Sequence, residues 1–156
     1  MERIEVTRTI AAPADRLYDM VSDLPRMGEW SPENRGGKWR GGATGPEVGA
    51  RFRGHNRKGI LRWSTNVTVG VADPGNEFAF DVRSAGLSVS RWGYRLKTVE
   101  GGTAVTEYWD DMRKPFVAKV AGWVMRVPDR AAYNRAGMEH TLEKLDSCAC
   151  DDSATD

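Results

Sequence analysis

Between Leu61 and Ala72 the sequence reads Leu-Arg-Trp-Ser-Thr-Asn-Val-Thr-Val-Gly-Val-Ala. Leu61, Trp63, Thr65, Val67, Val69 and Val71 fall on every second position, with Arg62, Ser64, Asn66 and Thr68 between them. That is the period of a strand with one dry face and one wet face. The pattern repeats on both sides. Phe78, Phe80 and Val82 alternate in the next run, and Trp92, Tyr94 and Leu96 in the one after. Gly36-Gly37, Gly41-Gly42, Gly45-Pro46, Arg57-Lys58-Gly59, Asp73-Pro74-Gly75-Asn76 and Glu100-Gly101-Gly102 punctuate the runs as turns. The expected strands are Glu33 to Arg40, Ala50 to Asn56, Leu61 to Ala72, Glu77 to Arg83, Ser88 to Val99 and Thr103 to Met112. Together they make an antiparallel meander.

Upstream, Arg3 to Ile10 alternates with Ile4, Val6 and Ile10 on one face and adds a seventh strand. Pro13 suits a helix start, and Leu17, Met20, Val21 and Leu24 follow at helical spacing. A second short helix fits Leu24 to Trp30, stopped by Ser31-Pro32. Downstream, Pro128-Asp129 opens a long helix with the stripe Ala131, Arg135, Met138, Leu142 and Leu145. Phe116 to Val127 reads as a shorter apolar helix between Pro115 and Pro128, suited to a lid or rim. Six strands with this much aromatic surface on one face need a cover, and the long helix supplies it. The expected architecture is therefore α+β: a curved antiparallel seven-stranded sheet wrapped around a long C-terminal helix, with two short helices between the first and second strands.

The 156 residues suit one domain, spanning residues 1–147, followed by a polar C-terminal tail over 148–156. Lys plus Arg number 23 and Asp plus Glu 22, so no global field favours nucleic acid or an anionic membrane. The charged start and the Gly122 interruption of the best apolar run predict a cytoplasmic protein without a stable membrane anchor. Cys148 and Cys150, close together in an acidic end, read as free thiols. With His55 and His140 the only histidines, hydrolytic triads and three-histidine metal sites find no support, and no phosphate or dinucleotide loop is present. Neither a metal nor a cofactor is expected.

The phrases Ala11-Ala-Pro-Ala-Asp-Arg-Leu-Tyr-Asp-Met-Val-Ser-Asp, Gly28-Glu-Trp-Ser-Pro-Glu and Trp92-Gly-Tyr-Arg-Leu, then Gly101-Gly-Thr-Ala-Val-Thr-Glu, stand in the order strand, two small helices, six strands and long helix. In both respects the chain resembles the SRPBCC or START-like superfamily, above all its polyketide cyclase/dehydrase branch, from Glu2 to about Leu145. The resemblance implies a helix-grip fold with a cavity between the sheet and the last helix. It puts Trp30 at the end of the second small helix and Trp63, Phe78, Phe80, Trp92 and Tyr94 at cavity-facing strand positions. It carries over no catalytic set.

Read from the residues alone, the same aromatic side chains supply rigid apolar walls for a ligand, with plain packing as the ordinary alternative for any one of them. Met138 belongs to the helix stripe beneath them. Phe52, Gly54 and Asn56 share a face, so the Asn56 amide can hold a ligand carbonyl or satisfy backbone, and Asn134 and the Tyr94 hydroxyl suit the same polar end. In the last strand Glu107 alternates with Val105 and Trp109. Inward, it is a candidate general acid or base whose pKa burial would raise. The opposite register turns Thr106, Tyr108 and Asp110 inward and leaves Glu107 as a solvated strand charge, the more ordinary outcome. Arg51, Arg53, Arg57, Lys58 and Arg62 form a basic hairpin without an acid, either a solvated edge that resists strand pairing or a dock for an acidic carrier protein.

Two functions fit these readings. One is a binding protein for a small hydrophobic molecule such as a lipid or polyketide, working as a monomer or homodimer. The other is a cofactor-free aromatase/cyclase or dehydratase using Glu107 as acid and base.

Overall fold

In the computed structural model, which describes residues 3–124 and 129–153, every alternating run becomes a strand. β1 spans Arg3–Ile10, β2 Asn34–Arg40, β3 Arg51–Lys58, β4 Leu61–Asp73, β5 Glu77–Ser84, β6 Leu87–Val99 and β7 Gly102–Asp111. They form one antiparallel sheet in the order β1-β7-β6-β5-β4-β3-β2. A ten-residue loop joins β2 to β3 and short turns carry β3 through β7, while β1 pairs with β7, so the chain must cross from one edge to the other between β1 and β2. That crossing is α1 (Ala14–Ser22), with Pro13 at its N-cap, and a 3₁₀ helix (Leu24–Glu29). The expected helix-grip architecture is the one found. α2 (Pro115–Val124) and α3 (Arg130–Ser153) complete it. Pro128 and the expected end of the shorter helix at Val127 lie outside the described residues, as do residues 154–156 of the tail.

Residues directly opposite on neighbouring strands share a face, so the register defines rows across the inner surface. One row is Ala72, Phe78, Tyr94, Glu107 and Val6; the next is Val69, Phe80, Trp92, Trp109 and Ile4; a third is Phe52, Val67, Val82, Ser90 and Asp111. The register in β4 shifts between Val69 and Val71. The extra residue there is Gly70, and the alternation flips beyond it. Ala72 therefore packs on the core in the place expected of Val71.

α3 lies against β1, β7 and α1, and its buried side chains are Asn134, Met138, Thr141, Leu142, Leu145 and Ala149. Two expectations change. Arg135 is exposed, its Nη1 donating to the Glu5 carbonyl at 3.4 Å, and the neighbouring Asn134 takes the inward place. The helix also continues past Ser147 to Ser153 in place of a tail from Cys148. Ala149 stands four residues after Leu145, so the apolar stripe gains one more turn, and Ala149 is fully buried. Cys148 and Cys150 stand within that helix, neither joined in a disulfide, and Cys150 Sγ donates to Asp146 Oδ1 at 3.5 Å. At the sheet edge, Arg8 Nε reaches Asp146 of α3 at 2.8 Å.

Candidate functional site

The inner face of the sheet does not close fully on α3. A cavity of about 380 Å³ remains between them, bounded by the strands, the 3₁₀ helix, α2 and α3. Phe52, Asn56, Trp63, Phe80, Trp92, Tyr94, Glu107, Trp109, Asn134 and Met138 all border it. The indoles of Trp92 and Trp109 lie 6.2 Å apart, tilted by 44°, and make one continuous wall across β6 and β7.

Phe78 and Trp30 do not border it. Phe78 is fully buried beneath α1, with the Tyr18 ring edge-on at 6.2 Å, because α1 roofs the end of the sheet where Phe78 stands. Trp30 closes the 3₁₀ helix and is packed into the main core.

Glu107 is the polar focus. Its position opposite Tyr94 on β6 and Val6 on β1 turns it inward, and it is 2 % exposed. The outward register, with Thr106, Tyr108 and Asp110 inward, is not the one adopted. The Tyr94 hydroxyl donates to Glu107 Oε1 at 3.0 Å, and Oε2 has no hydrogen-bond partner among the described residues. Burial pushes the Glu107 carboxyl up to about 8, the Tyr94 hydrogen bond drawing it only part of the way back. The Tyr94 hydroxyl is itself raised well above its usual value by burial and by the adjacent carboxyl. At neutral pH Glu107 is thus mainly a carboxylic acid. Since Oε1 accepts from Tyr94, the proton belongs on Oε2, where it is a buried donor without a partner among the described residues.

Other polar side chains line the cavity too, among them the buried Asn134, Thr141 and Ser90. Asn56 Nδ2 donates to Thr65 Oγ1 at 3.3 Å, so its amide is partly spent within the sheet. Two ion pairs that the sequence reading missed also border the cavity. Arg113 forms a two-pronged contact with Asp111 at 2.9 and 2.7 Å, and Arg130 Nη2 meets Glu33 at 2.8 Å. Burial opposes ionisation of Asp111, but Arg113 prevails and holds its carboxyl below the usual range. The Arg130 guanidinium also stacks 5.1 Å from the Tyr133 ring, another cavity residue. Charge at the cavity is therefore confined to neutralised pairs, leaving a largely apolar interior with one neutral acid and a few amide and hydroxyl groups.

Of the basic hairpin, Arg51, Arg53, Arg57 and Arg62 alternate away from the inward residues Phe52, Asn56 and Trp63. Arg53 Nη1 bonds Asn66 at 2.8 Å and Arg57 Nε bonds the Gly59 carbonyl at 2.8 Å. Lys58 departs from this set, its ammonium lying 5.6 Å over the Tyr133 ring beside the cavity. Lining from α2, through Val117 and Ala121, was signalled only by that segment's apolar composition.

A family model described as polyketide cyclase/dehydrase and lipid transport matches residues 1–147. The solution structure of the Polyketide_cyc-like protein Cgl2372 from Corynebacterium glutamicum is 31% identical, over 92% of this chain and 88% of that one, with a TM-score of 0.64. Protein NE0264 from Nitrosomonas europaea shares the fold at 11% identity, over 97% of this chain and 96% of that one, with a TM-score of 0.70. The di-domain ARO/CYC protein StfQ of the steffimycin biosynthetic pathway reaches a TM-score of 0.75 at 14% identity; the match takes in 97% of this chain but 51% of StfQ. No curated protein matches.

Proposed function

The chain belongs to the polyketide cyclase/dehydrase and lipid transport family, and we propose that it binds one small, largely apolar molecule in the cavity between sheet and α3, oriented by the Glu107 carboxylic acid. The observation that carries this reading is the pairing of aromatic walls with a single buried acid whose Oε2 lacks a partner. A cavity of about 380 Å³ lies within the roughly 300–1,000 Å³ of small-molecule sites. Affinity comes from desolvating the guest against Trp92, Trp109 and Phe80. Orientation comes from a guest carbonyl, ether or hydroxyl oxygen that accepts from Oε2, since leaving that group unpaired costs about 1–3 kcal/mol. A guest carboxylate is disfavoured: it would bring a charge into a space whose cations are already paired.

Native mass spectrometry of protein purified from its own host tests this reading by looking for a retained hydrophobic molecule. The dye anilinonaphthalene sulfonate provides a second readout, with enhanced fluorescence that the extracted molecule displaces. Ala121→Phe, placed on the α2 wall, should weaken dye binding roughly tenfold or more through steric filling while leaving the melting temperature within a few degrees. No retained molecule, no displaceable dye and no ligand-induced thermal stabilisation would together refute the proposal.

The same acid favours a second reading, a cofactor-free cyclase or dehydratase. Protonated Glu107 gives its proton to a ketone oxygen of the guest, and the resulting carboxylate takes one back from an adjacent carbon, so the residue ends as it began. Under this reading Glu107→Gln abolishes turnover of a poly-keto substrate and leaves its binding within a few-fold. Turnover that survives the substitution removes Glu107 from the chemistry. Delivery of such a substrate by an acidic carrier protein would use the outward Arg51, Arg53, Arg57 and Arg62, with Lys58 nearest the mouth.

A further inference from the structure

α2 is apolar on both sides. Val117 and Ala121 border the cavity, while Phe116, Val120, Trp123 and Val124, at positions i, i+4, i+7 and i+8, form an adjoining stripe. Those four are exposed to water; Phe116 and Trp123 retain 78% and 83% of their surface. Gly122 is the helix's only buried residue. Two further large apolar side chains are exposed. Leu87, half exposed, lies at the cavity rim, and Met112, also exposed, donates its backbone N–H to the Val89 carbonyl at 3.0 Å.

An aromatic pair with this exposure is costly in water and marks a contact surface. The charges identify the partner. Lys114 and Lys119 are exposed on and beside the same helix, and the sequence holds no acid between Asp111 and Asp129. Asp111 is already paired with Arg113. Joining two copies through this face would set their lysines against one another with no acid on either side to offset them. An anionic lipid surface meets both requirements, accepting Trp and Phe at the headgroup level and supplying phosphates to the lysines. No described helix is long and apolar enough to cross a membrane, so the contact is reversible and lies in the interface.

We propose that the outer side of α2 docks the protein on anionic bilayers, with Phe116, Val120, Trp123 and Val124 entering the headgroup region and Lys114 and Lys119 meeting lipid phosphates. Docking there would bring the α2 side of the cavity against the lipid. It stands independently of what the cavity holds.

Cosedimentation of the full chain with vesicles tests it, using phosphatidylcholine alone and phosphatidylcholine with about one third phosphatidylglycerol. The expected result is binding to the anionic vesicles, stronger than to neutral ones by roughly tenfold or more and reversed by salt. F116S/W123S should lose roughly tenfold or more of that binding and keep its melting temperature, because neither side chain is buried. K114E/K119E, which leaves the apolar side chains in place, should lose the preference for anionic lipid. Absence of the wild type from both vesicle pellets overturns the proposal, as does undiminished binding by F116S/W123S. A dimer in sedimentation equilibrium that F116S/W123S disperses, without vesicle binding, assigns the surface to a second copy and also overturns it.

Discussion

Glu107→Gln is expected to leave stability near that of the parent at about pH 4 and to exceed it by on the order of 4 kcal/mol at pH 8. The folded carboxyl titrates near 8 against 4.5 for the ordinary group, raised first by burial. Across that interval the folded state keeps a proton that the unfolded chain releases. Parent stability is therefore full below about pH 4.5 and falls as pH rises toward 8, by about 1.4 kcal/mol per unit at most. Glutamine has the shape of the protonated acid, still accepts from Tyr94 through its carbonyl oxygen, and has nothing to ionise. Asp110 and Asp111, held below their usual range with the help of Arg3 and Arg113, act in the opposite sense, losing their contribution as pH falls. They do so equally in both proteins and cancel in the difference. Urea denaturation at a series of pH values measures the gap. A gap that stays constant with pH would mean that Glu107 ionises inside the fold as readily as outside it. Tyr94→Phe removes a hydrogen bond that favours the charged form, and should carry the parent's decline to still higher pH.

Strand existence was legible because period two is a local property: Leu61 to Val69 and Phe78 to Val82 declare a face without reference to any other segment. Where a single inserted residue interrupts the period, local reading fails, and Gly70 sends Val71 to the wrong side. Glu107 shows a different limit. Alternation within β7 admits two registers, and the choice rests on its pairing with Tyr94 on the neighbouring strand and with Val6, which lies at the other end of the sequence. The place of Phe78 has a related cause. It is inward and aromatic, as expected, but whether an inward side chain meets a cavity or a helix depends on what roofs it, and Tyr18 of α1 packs on it. The rim pair Glu33 and Arg130, 97 residues apart, leaves no local signal at all.

Gly93→Ala should destabilise the protein by about 3 kcal/mol, against the gain of roughly 0.5–1 kcal/mol that replacing a strand glycine by alanine ordinarily brings. Gly93 lies between Trp92 and Tyr94, so on the outer face it is bare backbone beneath Tyr108, its direct partner on β7. A Cβ there would stand 2.2 Å from the Tyr108 ring, in a space the ring already fills. Tyr108 is 3% exposed, its hydroxyl donates to Glu77 Oε1 at 2.7 Å, and the guanidinium groups of Arg3 and Arg95 approach the ring centre at 4.5 and 5.4 Å. Displacing the ring costs much of its buried area, about 2 kcal/mol, plus a hydrogen bond of about 1 kcal/mol and part of two cation–π contacts. A double-mutant cycle isolates the cause. In Tyr108→Ala the space above Gly93 is vacant, so adding Gly93→Ala to it should cost nothing or stabilise slightly, as the ordinary strand preference dictates. An additive cycle, with the same penalty whether or not the ring is present, would show that the glycine serves the backbone instead. Since Trp92 and Tyr94 face the cavity from the other side of the same strand, the fraction of Gly93→Ala that remains folded should still bind the cavity dye, which separates loss of the fold from loss of the site.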